Sequence, residues 1–193
     1  MVLSRVVLWV TGACLLTLAL AVPGQAEERT FRARLSGFEE VIAAGGAVFS
    51  TASGQFRARI ARDEKSIDYE LSYDFPDPGT TLDTQYVNQA HLHFGQRHTT
   101  GGIIIYLCDS ADSPDPSGNP AGTPDCPSPS GTVNGTLTAA GVIGPAGQGI
   151  STGDEALTAL IEALRAGTVY ANVHSDAFPA GEIRGQVRPR DDD

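Results

Sequence analysis

The sequence predicts an all-β protein, an antiparallel sandwich or barrel with one short amphipathic helix. Most of the chain after residue 26 alternates apolar and polar side chains with period two, the pattern of a strand with one buried face. Turns rich in Gly, Pro and Asp separate these segments, as is typical of antiparallel β proteins. Leu157, Leu160, Ile161 and Leu164 recur instead at helical spacing.

The alternation places the strands. A first strand is predicted at 31–35, and strands at 56–60 and 67–73 flank a turn-like segment at 62–65, which predicts a β-hairpin. Further strands are predicted at about 87–94, 102–107, 132–138, 168–174 and 182–188. The helix is predicted to have about 12 residues. Thr152 is its expected N-cap, Glu155 completes a capping box and Gly167 follows its end.

The first 26 residues are predicted to be an export signal. Arg5 precedes an apolar stretch at 6–22, and Gly24 and Ala26 supply small residues for a cleavage site. A run of about 17 apolar residues is shorter than the roughly 20 that span a bilayer, which favours a cleaved signal. We therefore expect a secreted, periplasmic or extracellular protein with no stable membrane span. Residues 27–190 are predicted to form one β domain, followed by an acidic tail at 191–193.

The charge balance argues against nucleic acid as a partner. The chain has 23 acidic and 13 basic residues and a net charge of −10. Proteins that contact a phosphate backbone present a basic face, and this overall balance is the opposite. The expected partner is an extracellular protein of unknown identity or a metal ion.

Two cysteines, Cys108 and Cys126, lie outside the predicted signal. A pair of cysteines in an exported chain predicts a disulfide, here closing a loop rich in Asp, Ser, Pro and Gly. A thiolate metal site is the weaker alternative, because the spacing matches no zinc pattern.

Three histidines carry the main functional hypothesis. Residues i and i+2 of a strand share a face, so His91 and His93 project together, opposite the apolar Ala90 and Leu92. By the same alternation His174 and Arg184 also point away from the core. If their three strands are neighbours, these residues share one outward surface. Imidazoles so arranged are candidate ligands for copper or zinc, and the alternative is a set of solvated polar residues. His98 lies in a predicted turn and is expected to stay outside the cluster.

Several segments resemble the CHRD domain, named for chordin, an extracellular antagonist of bone morphogenetic proteins. They are Phe31-Arg-Ala-Arg-Leu-Ser-Gly-Phe-Glu-Glu-Val41, His91-Leu-His-Phe-Gly95, Gly102-Ile-Ile-Ile-Tyr-Leu107 and Asn172-Val-His-Ser-Asp-Ala-Phe-Pro-Ala-Gly-Glu-Ile-Arg-Gly-Gln186. The resemblance covers nearly all of the chain after the signal. It implies an immunoglobulin-like β-barrel and an extracytoplasmic location, and it implies no settled biochemical activity.

A fainter similarity is to Cu/Zn superoxide dismutase, which also has a His-x-His strand followed by Phe-Gly and a Val-His-x-Asp segment. This similarity implies a dismutase-like barrel with copper on His91, His93 and His174, and Arg184 as the residue that attracts the anion. A bridging histidine and a zinc-ligand cluster are missing from the sequence, so a zinc-bearing dismutase is not expected.

Three functions follow as hypotheses. The first is an exported CHRD-type binding module of unknown partner, with a candidate surface metal site and no catalysis. The second is a copper-binding module for storage or transfer. The third is a copper-only dismutase-like enzyme, in which Arg184 would be the one catalytic side chain besides the metal ligands.

Overall fold

A computed structural model describes residues 29–42, 45–76, 87–110 and 122–190. These residues form nine β-strands, one α-helix and three 3₁₀ turns. The strands are β1 (Thr30–Ser36), β2 (Ser53–Ile60), β3 (Ile67–Asp74), β4 (Val87–Phe94), β5 (Gly102–Asp109), β6 (Gly131–Leu137), β7 (Val169–Ser175), β8 (Ile183–Gln186) and β9 (Arg188–Pro189). The helix is α1 (Ala156–Arg165), and the 3₁₀ turns are Gly37–Glu39, Ala139–Gly141 and Ala146–Gln148. The predicted export signal and acidic tail lie outside the described residues.

The strands form one antiparallel sheet that curls into a nearly closed barrel. Their order is β5-β4-β7-β8-β1-β2-β3-β6, and β9 pairs with β1. The two ends of this order approach each other, because Tyr69 of β3 donates a hydrogen bond to the Leu107 carbonyl oxygen of β5 at 2.5 Å. A bridge between Ile105 and Val142 adds a second link. The all-β prediction is confirmed.

The predicted hairpin is present as β2 and β3, in register from Ile60 opposite Ile67 to Ser53 opposite Asp74. Alternate residues of both strands are buried, as the period-two pattern requires. The interior that they help to fill is apolar. Its fully buried side chains include Phe31, Phe56, Ile60, Ile67, Leu71, Leu92, Leu107 and Leu160.

Helix α1 covers the core, but it begins later than predicted. Leu157, Leu160 and Leu164 are buried on the face predicted from their spacing, and Gly167 follows the helix at φ +67°. The predicted N-cap at Thr152 is wrong. The chain makes a turn at Gly153, with φ +113°, and the residue that precedes the helix is Glu155, without a side-chain capping bond. This turn moves the helix start three residues beyond the position that the capping-box pattern indicates.

The predicted disulfide joins Cys108 of β5 to Cys126, 18 residues further along the chain. The pairing ties the segment before β6 back to β5. The part of the enclosed loop at 111–121 lies outside the described residues.

Replacing both cysteines with alanine is expected to lower the free energy of unfolding by about 3 kcal/mol, because a loop of this length then regains its freedom in the unfolded chain. Urea denaturation of the double variant, beside the oxidised and the reduced wild type, measures the effect. A difference below about 0.5 kcal/mol would contradict a stabilising role for this bond.

Across the described residues, no helix has both the length and the apolar character needed to span a bilayer.

Candidate metal centre

The three strands that carry the predicted site residues are neighbours, in the order β4-β7-β8. Gln89 of β4 lies opposite His174 of β7, and His91 lies opposite Asn172. Asn172 in turn lies opposite Arg184 of β8. Antiparallel pairing therefore places the polar side chains of all three strands on one face of the sheet.

This face is buried, and the prediction that it points to solvent is wrong. The exposed fractions of His91, His93, His174 and Arg184 are 0, 8, 7 and 2%. Every residue of β7 is buried, as are the first seven of β4. Alternation identifies the two faces of a strand but does not reveal whether another segment covers the polar one.

Two loops and a 3₁₀ turn supply that cover. Glu40, just after the first 3₁₀ turn, accepts a hydrogen bond from the Asn172 amide. Ser50 donates to the buried carboxylate of Glu182, which also accepts a hydrogen bond from Ser175. Across the rim, Arg97 in the loop after β4 forms a 2.6 Å ion pair with Glu39. These contacts hold the segments 37–42 and 45–50 and the loops at 95–101 and 176–182 over the polar face.

Within this enclosure the structure brings His91, His93 and His174 together. One ring nitrogen from each lies within 4.8 Å of those from the other two. The ring centroids are separated by 5.0 Å between His91 and His174 and by 5.4 Å between His91 and His93. We call these three residues the histidine cluster. Among the described residues, this potential metal-binding group contains three imidazoles and no carboxylate or thiolate.

Each imidazole is oriented through one of its two nitrogens. His91 Nε2 lies 3.1 Å from the Gln89 Oε1, His93 Nδ1 lies 3.0 Å from the Gly101 carbonyl oxygen, and His174 Nδ1 lies 3.0 Å from the Pro179 carbonyl oxygen. A carbonyl oxygen only accepts, so each of these nitrogens carries the proton. The lone pair of each neutral ring is then on the other nitrogen, which is Nδ1 of His91 and Nε2 of the other two.

Burial keeps two of these rings neutral. Burial lowers the pKa of His91 well below its usual range, and His174 and His93 nearby lower it further. Burial also lowers the pKa of His93 to about 3, with smaller contributions in the same direction from His174 and Arg184, while the hydrogen bond to Gly101 opposes them. A metal ion binds the neutral imidazole, so no proton has to leave these rings before an ion binds near neutral pH.

Aromatic rings and a cation form the walls of the cluster. Tyr106 packs edge-on against His91 with centroids 4.4 Å apart, and Tyr170 stacks on His93 at 4.7 Å with the ring planes 3° apart. The Arg184 guanidinium lies 3.4 Å from the centroid of the same Tyr170 ring. Tyr170 therefore contacts both His93 and Arg184, and its contact with Arg184 is a cation–π interaction next to the cluster.

Arg184 is thus not a surface cation. Its Nη2 donates to the Gln96 carbonyl oxygen at 3.1 Å, and its buried Nη1 has no hydrogen-bond partner among the described residues. Burial lowers the pKa of its guanidinium. A residue that attracts anions from solvent needs exposure, so the role that the dismutase similarity implies for Arg184 is not supported by its position.

Sequence reasoning missed the groups that orient the rings. The carboxylate of Asp176, two residues after His174 in the sequence, accepts a hydrogen bond from Asn88 at 3.2 Å. The orienting atoms belong instead to Gln89 and to the main chain at Gly101 and Pro179. Only Gln89 had a signal in the sequence, since it precedes His91 by two residues on the same face. His98, as expected, is exposed in a turn, with φ +65°, outside the cluster.

Comparison with known proteins identifies the family of the domain. No curated protein and no solved structure gives a significant match to the chain. The family model for the CHRD domain matches residues 31–187. The match begins in β1, ends directly after β8 and contains all three residues of the histidine cluster. The chain therefore belongs to the CHRD domain family.

Proposed function

We propose that this chain is an exported CHRD-domain binding module that holds one copper ion on His91, His93 and His174. The observation that carries the proposal is the arrangement of the three rings. Each has one nitrogen fixed by a carbonyl oxygen, and the ligand atoms lie within 4.8 Å of one another. Metal-binding histidines are typically oriented by a hydrogen bond of this kind.

The cluster is close to the size that a metal ion needs. Two nitrogens bound to one ion at about 2.1 Å are at most about 4.2 Å apart. The largest separation in the cluster therefore has to shorten by no more than about 0.6 Å for two nitrogens to contact one ion. Small rotations of the imidazoles are enough for this shortening. In a tetrahedral geometry the ligand nitrogens have to come somewhat closer to one another.

The chemistry of the ligands favours copper. Three neutral imidazoles suit copper and zinc, whereas magnesium and calcium prefer oxygen ligands. Among the divalent first-row metals, copper binds such nitrogen sites most tightly. Zinc is the competing ion that the experiment has to include.

Export is the other part of the proposal. The sequence begins with the pattern of an export signal, and the disulfide between Cys108 and Cys126 is consistent with an oxidising compartment. Burial of the cluster favours holding the ion over rapid turnover of a substrate. The dismutase-like alternative would need an open route to the metal and an exposed cation near it.

Titration calorimetry with copper and with zinc tests the proposal. We expect the wild type to bind one copper ion per chain, and the triple variant His91→Gln/His93→Gln/His174→Gln to lose this binding. His98→Asn is the matched control, since His98 is exposed outside the cluster and Asn tolerates its positive φ. Circular dichroism verifies the fold of each variant, and His174→Gln replaces the triple variant if that protein does not fold. Equal copper binding by the wild type and the cluster variants would overturn the proposal.

A superoxide-removal assay on the copper-loaded protein separates a carrier from an enzyme. A module that holds copper is expected to remove superoxide no faster than an equal concentration of copper bound to free imidazole. Faster removal that Arg184→Met abolishes would favour the enzyme instead.

A further inference from the structure

The outer surface of β1, β2 and β9 carries an unusual concentration of positive charge for a chain of net charge −10. The inward residues of these strands, such as Phe31 and Phe56, fill the core. Six arginines lie on the outward side or directly after β9, and all six are exposed. We call them the arginine face: Arg32, Arg34, Arg57, Arg59, Arg188 and Arg190.

Strand register sets like charges directly against each other on this face. Arg32 lies opposite Arg57 of β2 on one side and opposite Arg188 of β9 on the other. Like charges in directly opposed positions of a sheet destabilise it. Such an arrangement costs stability in the isolated protein, so a ligand that neutralises it would restore that stability.

Among the residues that the structure describes, few of these charges are balanced by an acid. Arg57 forms an ion pair with Glu70 of β3 at 3.5 Å, and Arg59 lies opposite Asp68 in the register. Among the described residues, no carboxylate lies within ion-pair distance of Arg32, Arg34, Arg188 or Arg190. Residues 191–193, three aspartates that follow Arg190 in the sequence, lie outside the described part of the chain.

The face also has a shape that admits an extended ligand. A groove of about 330 Å³ lies among Arg32, Arg34, Arg57 and Arg190. An adjacent groove of about 310 Å³ contains Arg34 and Arg188. The two grooves share Arg34, and the second is also lined by Arg97 and its ion-pair partner Glu39. Neighbouring backbone positions on this face are about 4.8 Å apart across strands and about 6.8 Å apart along a strand.

We propose that the arginine face binds an anionic polysaccharide, through its carboxylate or sulfate groups. A guanidinium presents a planar fork of donors that matches such groups in bidentate fashion, and the face contains arginine and no lysine. This site is separate from the histidine cluster and does not depend on the proposed copper binding.

A linear polymer fits this surface better than a membrane or a nucleic acid. The large apolar side chains exposed among the described residues are Phe38, Phe49 and Ile143, and none of them belongs to β1, β2 or β9. A protein that lies on a bilayer inserts such side chains, and single-stranded nucleic acid stacks its bases on exposed aromatic rings. A wide anionic surface would also be repelled by the acidic remainder of the protein, whereas a narrow chain follows the grooves.

Fluorescence anisotropy of labelled dextran sulfate and labelled alginate, with neutral dextran as a blank, tests the proposal on the full chain. We expect salt-sensitive binding at 50 mM NaCl to at least one anionic polymer. Arg32→Glu/Arg188→Glu should weaken it by more than about tenfold, since both contacts are lost and two acids are gained. The matched control is Arg62→Glu/Lys65→Glu, which changes net charge equally in the exposed turn between β2 and β3. It should change the affinity by less than about twofold. The dextran sulfate and alginate arms separate sulfate from carboxylate as the recognised group.

Three results would overturn the proposal. One is failure of the wild type to bind either anionic polymer. Another is an equal loss of affinity in the control variant, which would show an effect of net charge alone. The third is tighter binding to phosphatidylserine vesicles or to single-stranded DNA, with the same dependence on Arg32 and Arg188. All substituted residues are exposed, and thermal unfolding verifies that each variant is folded.

Discussion

Substituting glutamine for His174 is expected to weaken copper binding by more than about 100-fold. Loss of a group that only orients a metal ligand typically costs 10- to 100-fold in affinity, and His174 is proposed to contact the ion itself. His174 is suited to the test because it lies near the end of β7 and is slightly exposed. Glutamine keeps a polar side chain near the Pro179 carbonyl oxygen that the imidazole now contacts. Competition with a copper chelator of known affinity measures the change.

Removing a group that orients a histidine is expected to weaken copper binding less than removing a histidine ligand does. Gln89→Ala leaves all three imidazoles in place but removes the carbonyl oxygen 3.1 Å from His91 Nε2. Its expected loss of affinity is about tenfold to 100-fold, smaller than that of His174→Gln. His98→Asn should bind copper as the wild type does. If Gln89→Ala and His174→Gln had no larger effect than His98→Asn, the proposed ligand set would be wrong.

The second large effect is acid destabilisation of the metal-free protein. The unfolded chain protonates His93 near pH 6.5, whereas burial lowers the pKa of His93 in the folded protein to about 3. The unfolded state therefore gains protons first as the pH falls, so stability is complete above pH 6.5 and is lost progressively below it. The slope is about 1.4 kcal/mol per pH unit for one such histidine, or about 2 kcal/mol between pH 6.5 and 5. His91, whose pKa is also lowered by burial, adds to the loss.

Urea denaturation of metal-free protein from pH 7.5 to 5 measures this loss. The difference between the wild type and His93→Gln isolates one histidine, and its slope should be shallower by about 1.4 kcal/mol per pH unit. This comparison also removes the contribution of Glu40, whose pKa burial raises and which therefore acts in the opposite direction. His98→Asn should follow the wild type. Parallel pH profiles for the wild type and His93→Gln would show that the His93 imidazole protonates freely in the folded protein.

The sequence predicted much of the architecture because successive side chains of a strand point to opposite faces of the sheet, which gives a two-residue alternation of apolar and polar residues. It located the β2–β3 hairpin, the strands that carry the histidines and the face that each histidine occupies. The disulfide between Cys108 and Cys126 also followed from the sequence, because two cysteines remain in a chain with a predicted export signal. These features can be predicted because they depend on residues that are close together in the sequence or on residue type.

The features that the sequence did not predict depend on contacts between distant segments. The covering contacts from Glu40 to Asn172 and from Ser50 to Glu182 each join residues 132 apart, and no local pattern indicates them. They turn a supposed surface site into an enclosed one, and the resulting desolvation keeps His91 and His93 neutral. The main-chain carbonyls of Gly101 and Pro179 that orient two of the rings also have no signature in side-chain identity. The arginine face has no signature in any one segment either, because its six members come from β1, β2, β9 and the position directly after β9.

X-ray absorption at the copper edge of the copper-loaded protein tests the central claim most directly, because scattering from the outer ring atoms counts the imidazoles on the ion. The account predicts three imidazole nitrogens at about 2.0 Å in the wild type and two in His174→Gln. One imidazole or none in the wild type, or a spectrum that is unchanged in His174→Gln, would contradict the assignment of His91, His93 and His174 as the ligands.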